Sequence, residues 1–323
     1  MIVLISNFVL MNKNIVLLLI SILFLTSCKK EQKTAEAAVK MQEFVMNISA
    51  YCKADNPDFL VIPQNGIQLA FNNTNIEEGL NSSFLNAIDG FGVEEIFYNG
   101  KYKVDSERLN MLQQLKTQKP ILVADYVKDD SNISDDIEKN SSNNFLCFPR
   151  SKDNYYYTRI PDFVINENIN DITQLSEAKN FLYLLNPENY NSKNEYLNAL
   201  KATNFDIILI DLFFNDEELT NADIESLKTK TNGGKRLVIA YMNVGSAENY
   251  RYYWKNDWKL HQPSWLRKKY AGYKDEFYVA FWDTEWQHII YGNDASYVKK
   301  IINAGFNGTY LDNVEAYYFL YNK

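Results

Sequence analysis

Carboxylates close or interrupt a series of apolar segments in this chain, and they are the side chains best placed to do chemistry. Asp125 follows Ile-Leu-Val-Ala, Asp211 follows Ile-Ile-Leu-Ile, and Asp312 follows Tyr310-Leu311. Asp283 follows Phe-Trp, Glu248 lies a few residues past an apolar run at 237–241, and Glu94 sits inside its own run. Two carboxyl groups facing one bond can divide the work of glycoside hydrolysis. One gives a proton as general acid and the other, ionised, attacks or stabilises charge. Tyr98, Tyr250, Trp254, Trp282 and Trp286 could supply flat apolar faces for sugar rings. Each aspartate could equally be a helix N-cap, and each ring could equally be core. With only His261 and His288 available, a Ser-His-Asp triad or a histidine-rich metal site has little material. No metal or cofactor is therefore expected.

These side chains need a scaffold that gathers them. Short continuous runs, β-branched or aromatic, recur at 59–62, 93–98, 121–124, 145–148, 181–185, 207–210, 237–241, 277–281 and 309–311. Such runs read as strands buried on both faces. Between many of them lie stretches of helical period, at 41–54, 106–115, 194–202, 224–229 and 295–304. Strand alternating with helix predicts a parallel sheet, and this number of units predicts a (β/α)8 barrel of TIM type. No Gly-x-Gly-x-x-Gly motif supports an open dinucleotide-binding sheet. Nine candidate strands are one too many for eight, so 145–148 or 277–281 is accessory. Residues 151–175, with Tyr155-Tyr-Tyr157, read as a long excursion. The region begins with a helix and ends just after a strand. A barrel closes that way only if the chain is cut inside a βα loop, and those loops lie on the catalytic face.

The first residues carry a different signal. Met11-Asn-Lys-Asn, an apolar run from 15 to 24 and Leu25-Thr26-Ser27-Cys28 read as a lipoprotein signal peptide ending at a lipidated Cys28. The alternative is an uncleaved anchor helix, and the polar residues at 12–14 weaken it. The expected organisation is a signal over 1–28, a polar tether over 29–40 and one barrel domain over 41–323. It places a monomer in a bacterial cell envelope, held to a membrane through lipid on Cys28. The tether enters the barrel on the catalytic face and, fully extended, reaches at most ~40 Å. The net charge of −8, with no basic run, argues against nucleic acid as a partner. Cys52 and Cys147 read as buried thiols.

Longer motifs carry a resemblance. Ala240-Tyr-Met-Asn-Val-Gly-Ser-Ala-Glu-Asn-Tyr-Arg-Tyr-Tyr-Trp254 and Gly305-Phe-Asn-Gly-Thr-Tyr-Leu-Asp-Asn-Val-Glu-Ala-Tyr317 are the two longest. Phe59-Leu-Val-Ile-Pro-Gln-Asn-Gly66, Val93-Glu-Glu-Ile-Phe-Tyr98 and Ala124-Asp-Tyr-Val127 add three more. Together they resemble the endo-α-1,4-polygalactosaminidase-like glycoside hydrolases. In that family the segment like 241–254 comes first, the one like 310–317 next, and the Pro-Gln-Asn-Gly block follows. Here that block opens the domain and Leu-Asp-Asn ends it, which resembles a circular permutation cut within a βα loop.

The resemblance implies a barrel that cleaves an amino-sugar polysaccharide endo-wise. It implies Asp312 as nucleophile or charge stabiliser and Glu94 as general acid/base. A retaining mechanism is favoured and would put the two carboxyls ~5 Å apart, against ~6.5–9.5 Å for an inverting one. Asp125, Asp211, Glu248, Tyr250, Arg251, Asn65, Arg150, Trp282 and Tyr98 are candidates for substrate binding. An acidic cleft would suit a cationic, non-acetylated galactosamine polymer. The competing reading is a carbohydrate-binding envelope lipoprotein that keeps the barrel without turnover, and a structural lipoprotein with no glycan stands third.

Overall fold

The computed structural model describes residues 2–322, and their side chains from Lys29 onward. The expected processing site at Cys28 lies outside the described side chains. In chain order the first elements are α1 (Ile2–Asp55), β1 (Leu60–Pro63), α2 (Ser82–Ala87), β2 (Phe91–Tyr102) and α3 (Ser106–Leu115). Next come β3 (Ile121–Val127), α4 (Ile133–Ser142), β4 (Leu146–Cys147), β5 (Arg150–Ser151), β6 (Phe181–Leu184) and α5 (Lys193–Lys201). Then follow β7 (Ile207–Asp211), β8 (Phe213–Phe214), β9 (Glu217–Glu218), α6 (Asn221–Leu227), β10 (Leu237–Asn243) and β11 (Ser246–Glu248). The last are β12 (Leu266–Lys269), β13 (Glu276–Val279), α7 (Thr284–Ile290), α8 (Tyr297–Ala304), β14 (Gly308–Asp312) and α9 (Ala316–Asn322).

The apolar runs become parallel strands because both of their faces are covered. Every residue of β7 and of β10 is buried. One parallel sheet runs β1-β14-β10-β7-β6 and a second runs β2-β3-β4, with β5 also on β3. A parallel bridge between Gln64 and Gly92 joins β1 to β2. Eight parallel strands thus follow one another in a curved, barrel-like order. Between β4 and β6 the described residues form no ladder. That seam is filled by the Phe148 and Phe181 rings, 5.6 Å apart, and by the Leu185 N–H donating to Tyr157 O. The accessory strand is the one at 277–281: β13 pairs antiparallel with β11 and β12, away from the parallel set.

Two glycines set close approaches that no other residue allows. A Cβ on Gly92 would lie 1.8 Å from the Tyr310 hydroxyl, so β2 and the Tyr310 side chain on β14 fit only without it. A Cβ on Gly245 would lie 1.9 Å from Asn313 O, which brings the turn after β10 against the turn after β14.

In α1, Ala37, Met41, Phe44, Ile48 and Cys52 are buried at intervals of three and four residues, a single apolar stripe. That stripe packs against α9, α2 and α8, and the Phe44 ring stacks on Phe281. Burial of each large side chain contributes about 1.5–3 kcal/mol. The stripe reaches back into 29–40, which is helical, with Ala37 and Ala38 buried. The expected extended tether is therefore helical and docks at Ala37 and Ala38, which continue the apolar face of 41–54. Near the other end of the chain, α9 comes alongside, and Asn322 Nδ2 donates to Thr34 Oγ1 at 2.8 Å. Among the described residues no helix is long and apolar enough to cross a membrane. Cys52 and Cys147 are buried free thiols.

Candidate active site

A cleft of about 760 Å³ opens over the C-terminal ends of the parallel strands, the end where (β/α)8 barrels place their chemistry. Glu94 enters it from β2 and Asp312 from the last position of β14. Glu94 is the last residue of β2 before a bulge. The β2–β3 register runs in step up to Glu94↔Ala124 and resumes only at Asn99↔Tyr126. Glu95, just beyond, has φ 59, a left-handed conformation that turns the two carboxylates apart.

Glu94 is surrounded by donors. Gln64 Nε2 reaches Oε2 at 2.8 Å, Asn65 Nδ2 reaches the same oxygen at 3.5 Å, and the Tyr157 hydroxyl donates to Oε1. Arg150 Nη1 lies 3.8 Å from Oε1 and Arg150 Nη2 lies 3.2 Å from Glu95 Oε1. The Gln64 amide is itself oriented by Tyr183, whose hydroxyl donates to Oε1 at 3.1 Å.

Asp312 is held differently. Tyr241 Oη donates to its Oδ2 at 2.7 Å, and the Asn313 N–H donates to Oδ1 at 2.7 Å. Burial, reinforced by the Glu94 and Glu276 carboxylates, outweighs these donors and pushes its pKa up to about 8. Glu276 is the third carboxyl of this group. Its Oε1 accepts from Asn243 Nδ2 at 2.8 Å, from Asn313 Nδ2 at 3.0 Å and from the Ser246 hydroxyl. Burial, with Glu248 adding to it, pushes Glu276 up to about 7.

The opposite wall is an ion-pair network. Arg251 meets Asp211 at 2.8 Å and Glu248 at 2.7 Å, and Tyr250 Oη donates to Glu248 at 2.5 Å. Burial raises the Asp211 pKa even against Arg251. The two arginines lining the cleft, Arg150 and Arg251, are thus both engaged by carboxylates. Tyr155, Tyr156, Tyr250, Tyr252 and Tyr273 line the cleft and are largely exposed, leaving their rings open to a ligand.

Of the residues singled out from the sequence, Glu94, Asp312, Asn65, Arg150, Asp211, Glu248, Tyr250 and Arg251 line this one cleft. Three do not. Asp125 is fully buried behind β2, where its oxygens accept backbone N–H groups. Tyr98 turns away to donate to Asp135 at 2.5 Å. Trp282 packs on Phe281, with Lys40 Nζ 4.7 Å above its ring, on the side covered by α1. Asp283 is the N-cap of α7, accepting from the Glu285 N–H at 3.0 Å. Trp254 stacks on Phe277, and the buried Trp286 donates to Val244 O.

Sequence reasoning missed Gln64, Glu95, Tyr157, Tyr183, Tyr241 and Glu276. Gln64, Glu95 and Tyr241 lie inside motifs already singled out, and Tyr157 closes the Tyr-Tyr-Tyr of the excursion. Glu276 had no local signal, because it belongs to an antiparallel strand outside the strand–helix alternation. Among the described residues no group of three or more His, Cys, Asp or Glu is placed to hold a metal ion.

Comparison with known proteins adds to this geometry. Residues 166–323 match glycoside-hydrolase family GH114. That span contains Asp211, Glu248, Glu276 and Asp312, while Glu94 precedes it. An uncharacterized protein of Methanocaldococcus jannaschii is 33% identical over 151 residues, 47% of this chain and 41% of the relative. Uncharacterized proteins of Thermotoga maritima and Deinococcus radiodurans are 31% and 34% identical, over 36% and 38% of this chain. The matches span 35% and 37% of those two relatives, so well under half of each is covered.

Proposed function

Starting from a C-terminal half that is like the GH114 glycoside hydrolases, we propose that this protein hydrolyses an amino-sugar polysaccharide, cutting within the chain, with Glu94 and Asp312 as its acid pair. The observation that carries the reading is the meeting of these two carboxyls in one cleft from two different parallel strands. Glu94, ringed by Gln64, Asn65 and Tyr157, acts as general acid/base. Asp312, with Tyr241 donating to it, attacks or stabilises the cationic sugar once ionised. The exposed tyrosines stack on sugar rings. A cleft with eight carboxylates and two engaged arginines favours a substrate carrying ammonium groups. No metal or cofactor takes part in this scheme, and neither a nucleic acid nor a second subunit is required.

The test is digestion of a glycan panel by wild type, Asp312→Asn and Glu94→Gln. Loss of cleavage in both variants is expected, and turnover surviving both would sink the acid pair. A second reading, a carbohydrate-binding protein without turnover, is favoured by the burial of Asp312, which pushes its pKa up to about 8 and so disfavours the ionised, nucleophilic form. Glycan binding without cleavage by wild type would select it.

We further propose that the fold is a (β/α)8 barrel circularly permuted within the βα loop after β14. α1 then fills the helix position that follows β14, with α9 as a short lead-in. The Asn322–Thr34 contact supports this. A helix that feeds a strand through a short turn lies antiparallel to it. The early part of α1 therefore points towards the cleft end of the strands, and a lipid on Cys28 would hold the cleft towards an envelope membrane. Because 29–40 is helical, the reach of those twelve residues drops from ~40 Å extended to ~18 Å. Labelling by a radioactive fatty acid, lost in Cys28→Ala, tests the anchor.

A further inference from the structure

The bulge of β2 is held by one side chain of the neighbouring strand. Residues 95–98 face only Asp125 of β3. Asp125 Oδ1 accepts the Ile96 N–H at 2.5 Å, and its two oxygens share the Phe97 N–H at 3.3 and 3.2 Å. Behind it stands helix α4. Asn140 Nδ2 donates to Asp125 Oδ2 at 3.3 Å and to Asp136 Oδ1 at 3.0 Å. The Asp136 carboxyl is hydrogen-bonded to Asp125, and both are completely buried.

Two carboxyls in such contact cannot both ionise, so they share one proton. Asp136 keeps that proton, its pKa pushed up to about 9 by burial and by Asp125, which leaves Asp125 free to accept the two N–H groups. The Cys147 thiol, 3.4 Å from Asp136 Oδ2, is a neutral neighbour on the far side. The same helix grips the end of the bulge, since Asp135 accepts from Tyr98 Oη at 2.5 Å and from Lys139 Nζ at 2.9 Å. On the open side, Arg108 ties Glu95 O at 3.1 Å to Asn65 Oδ1 at 3.2 Å.

We infer that Asp125 is a positioning residue, with Asp136 as its proton-sharing partner: the pair fixes the β2 bulge so that Glu94 meets Gln64, Asn65 and Tyr157 at the cleft wall. Neither carboxyl touches substrate. The inference rests on the reading of Glu94 as acid/base, so its test has one arm that does not depend on turnover.

A crystal structure of Asp125→Ala is expected to show the Glu94 carboxylate out of hydrogen-bond reach of Gln64 and Tyr157. Intact contacts there would overturn the inference. On a glycan that wild type cleaves, Asp125→Ala is expected to lower kcat about 10- to 100-fold while KM stays within about threefold. Asp136→Asn, whose amide still donates to Asp125, should keep kcat within about threefold. An unchanged kcat in Asp125→Ala, or an Asp136→Asn as impaired as it, would also overturn the inference. If Asp125→Ala does not fold, Asp136→Leu removes the shared proton and enters the same two measurements. A wild type inactive on every glycan would defeat the proposed reaction, and the variant structure would still decide the positioning role.

Discussion

Tyr241 Oη donates a 2.7 Å hydrogen bond to Asp312 Oδ2, and this is the side-chain donor found on that carboxyl. It opposes burial and two neighbouring carboxylates, which together hold Asp312 at about 8. Tyr241→Phe removes a donor that favours the ionised form, so the pKa should climb further. A hydrogen bond to a charged group is worth about 1.5–3 kcal/mol, so kcat/KM at neutral pH should fall about 10- to 100-fold. A pH–rate profile in which the variant's limb does not move to higher pH would contradict the assignment.

Wild-type activity should carry the same signature. If Asp312 must be ionised, kcat/KM carries an ascending limb with a pKa of about 8. An ammonium-bearing substrate, once bound, stabilises the carboxylate and lowers that pKa. The limb in kcat should therefore lie at lower pH than the limb in kcat/KM. Comparing an acetylated with a non-acetylated oligosaccharide checks this, because only the second carries the cation.

Stability should fall as pH rises. Asp312, Glu276 and Asp136 are raised to about 8, about 7 and about 9, against ordinary carboxyl values near 4. Between those limits the folded state binds more protons than the unfolded chain. The stability these protons give is full below about pH 4 and is lost as pH passes about 7 to 9. Melting temperature followed from about pH 5 to pH 9.5 should decline, other groups being constant, and decline less in Asp136→Asn and Glu276→Gln.

Gly92→Ala tests the packing under the site. Its Cβ would meet the Tyr310 hydroxyl at 1.8 Å, and the Tyr310 ring is buried. Overpacking of this kind costs about 1–3 kcal/mol or more. Urea denaturation should show that loss, and an unchanged midpoint would mean that β2 and β14 are less tightly apposed.

Reversing the proposed permutation tests it. Placing residues 29–55 after Asn322 through a short flexible linker, with the chain starting at Asn56, should preserve the fold, because Thr34 and Asn322 already touch. Circular dichroism and the glycan assay should match the parent. An unfolded product would argue that α1 must precede β1.

The strands, and eight of the residues that line the cleft, were legible in the sequence. Asp312 and Asp211 each sit at the end of a continuous apolar run and Glu94 interrupts one, a local pattern that survives folding because a parallel strand buries both faces. The accessory strand was not legible, since 277–281 is as apolar as the parallel strands and its antiparallel pairing involves β11 and β12 rather than the parallel set.

What the sequence by itself determined is the set of groups on offer: carboxylates at strand ends, scarce histidine and aromatic excursions. Only the tertiary structure decided which of them face one another. It turned Asp125 behind the wall, because two backbone N–H groups of the β2 bulge needed an acceptor. It brought Tyr157 from the excursion onto Glu94, and Glu276 from an antiparallel strand to the neighbourhood of Asp312. Those meetings depend on contacts between residues distant in the chain, and no period or spacing encodes them.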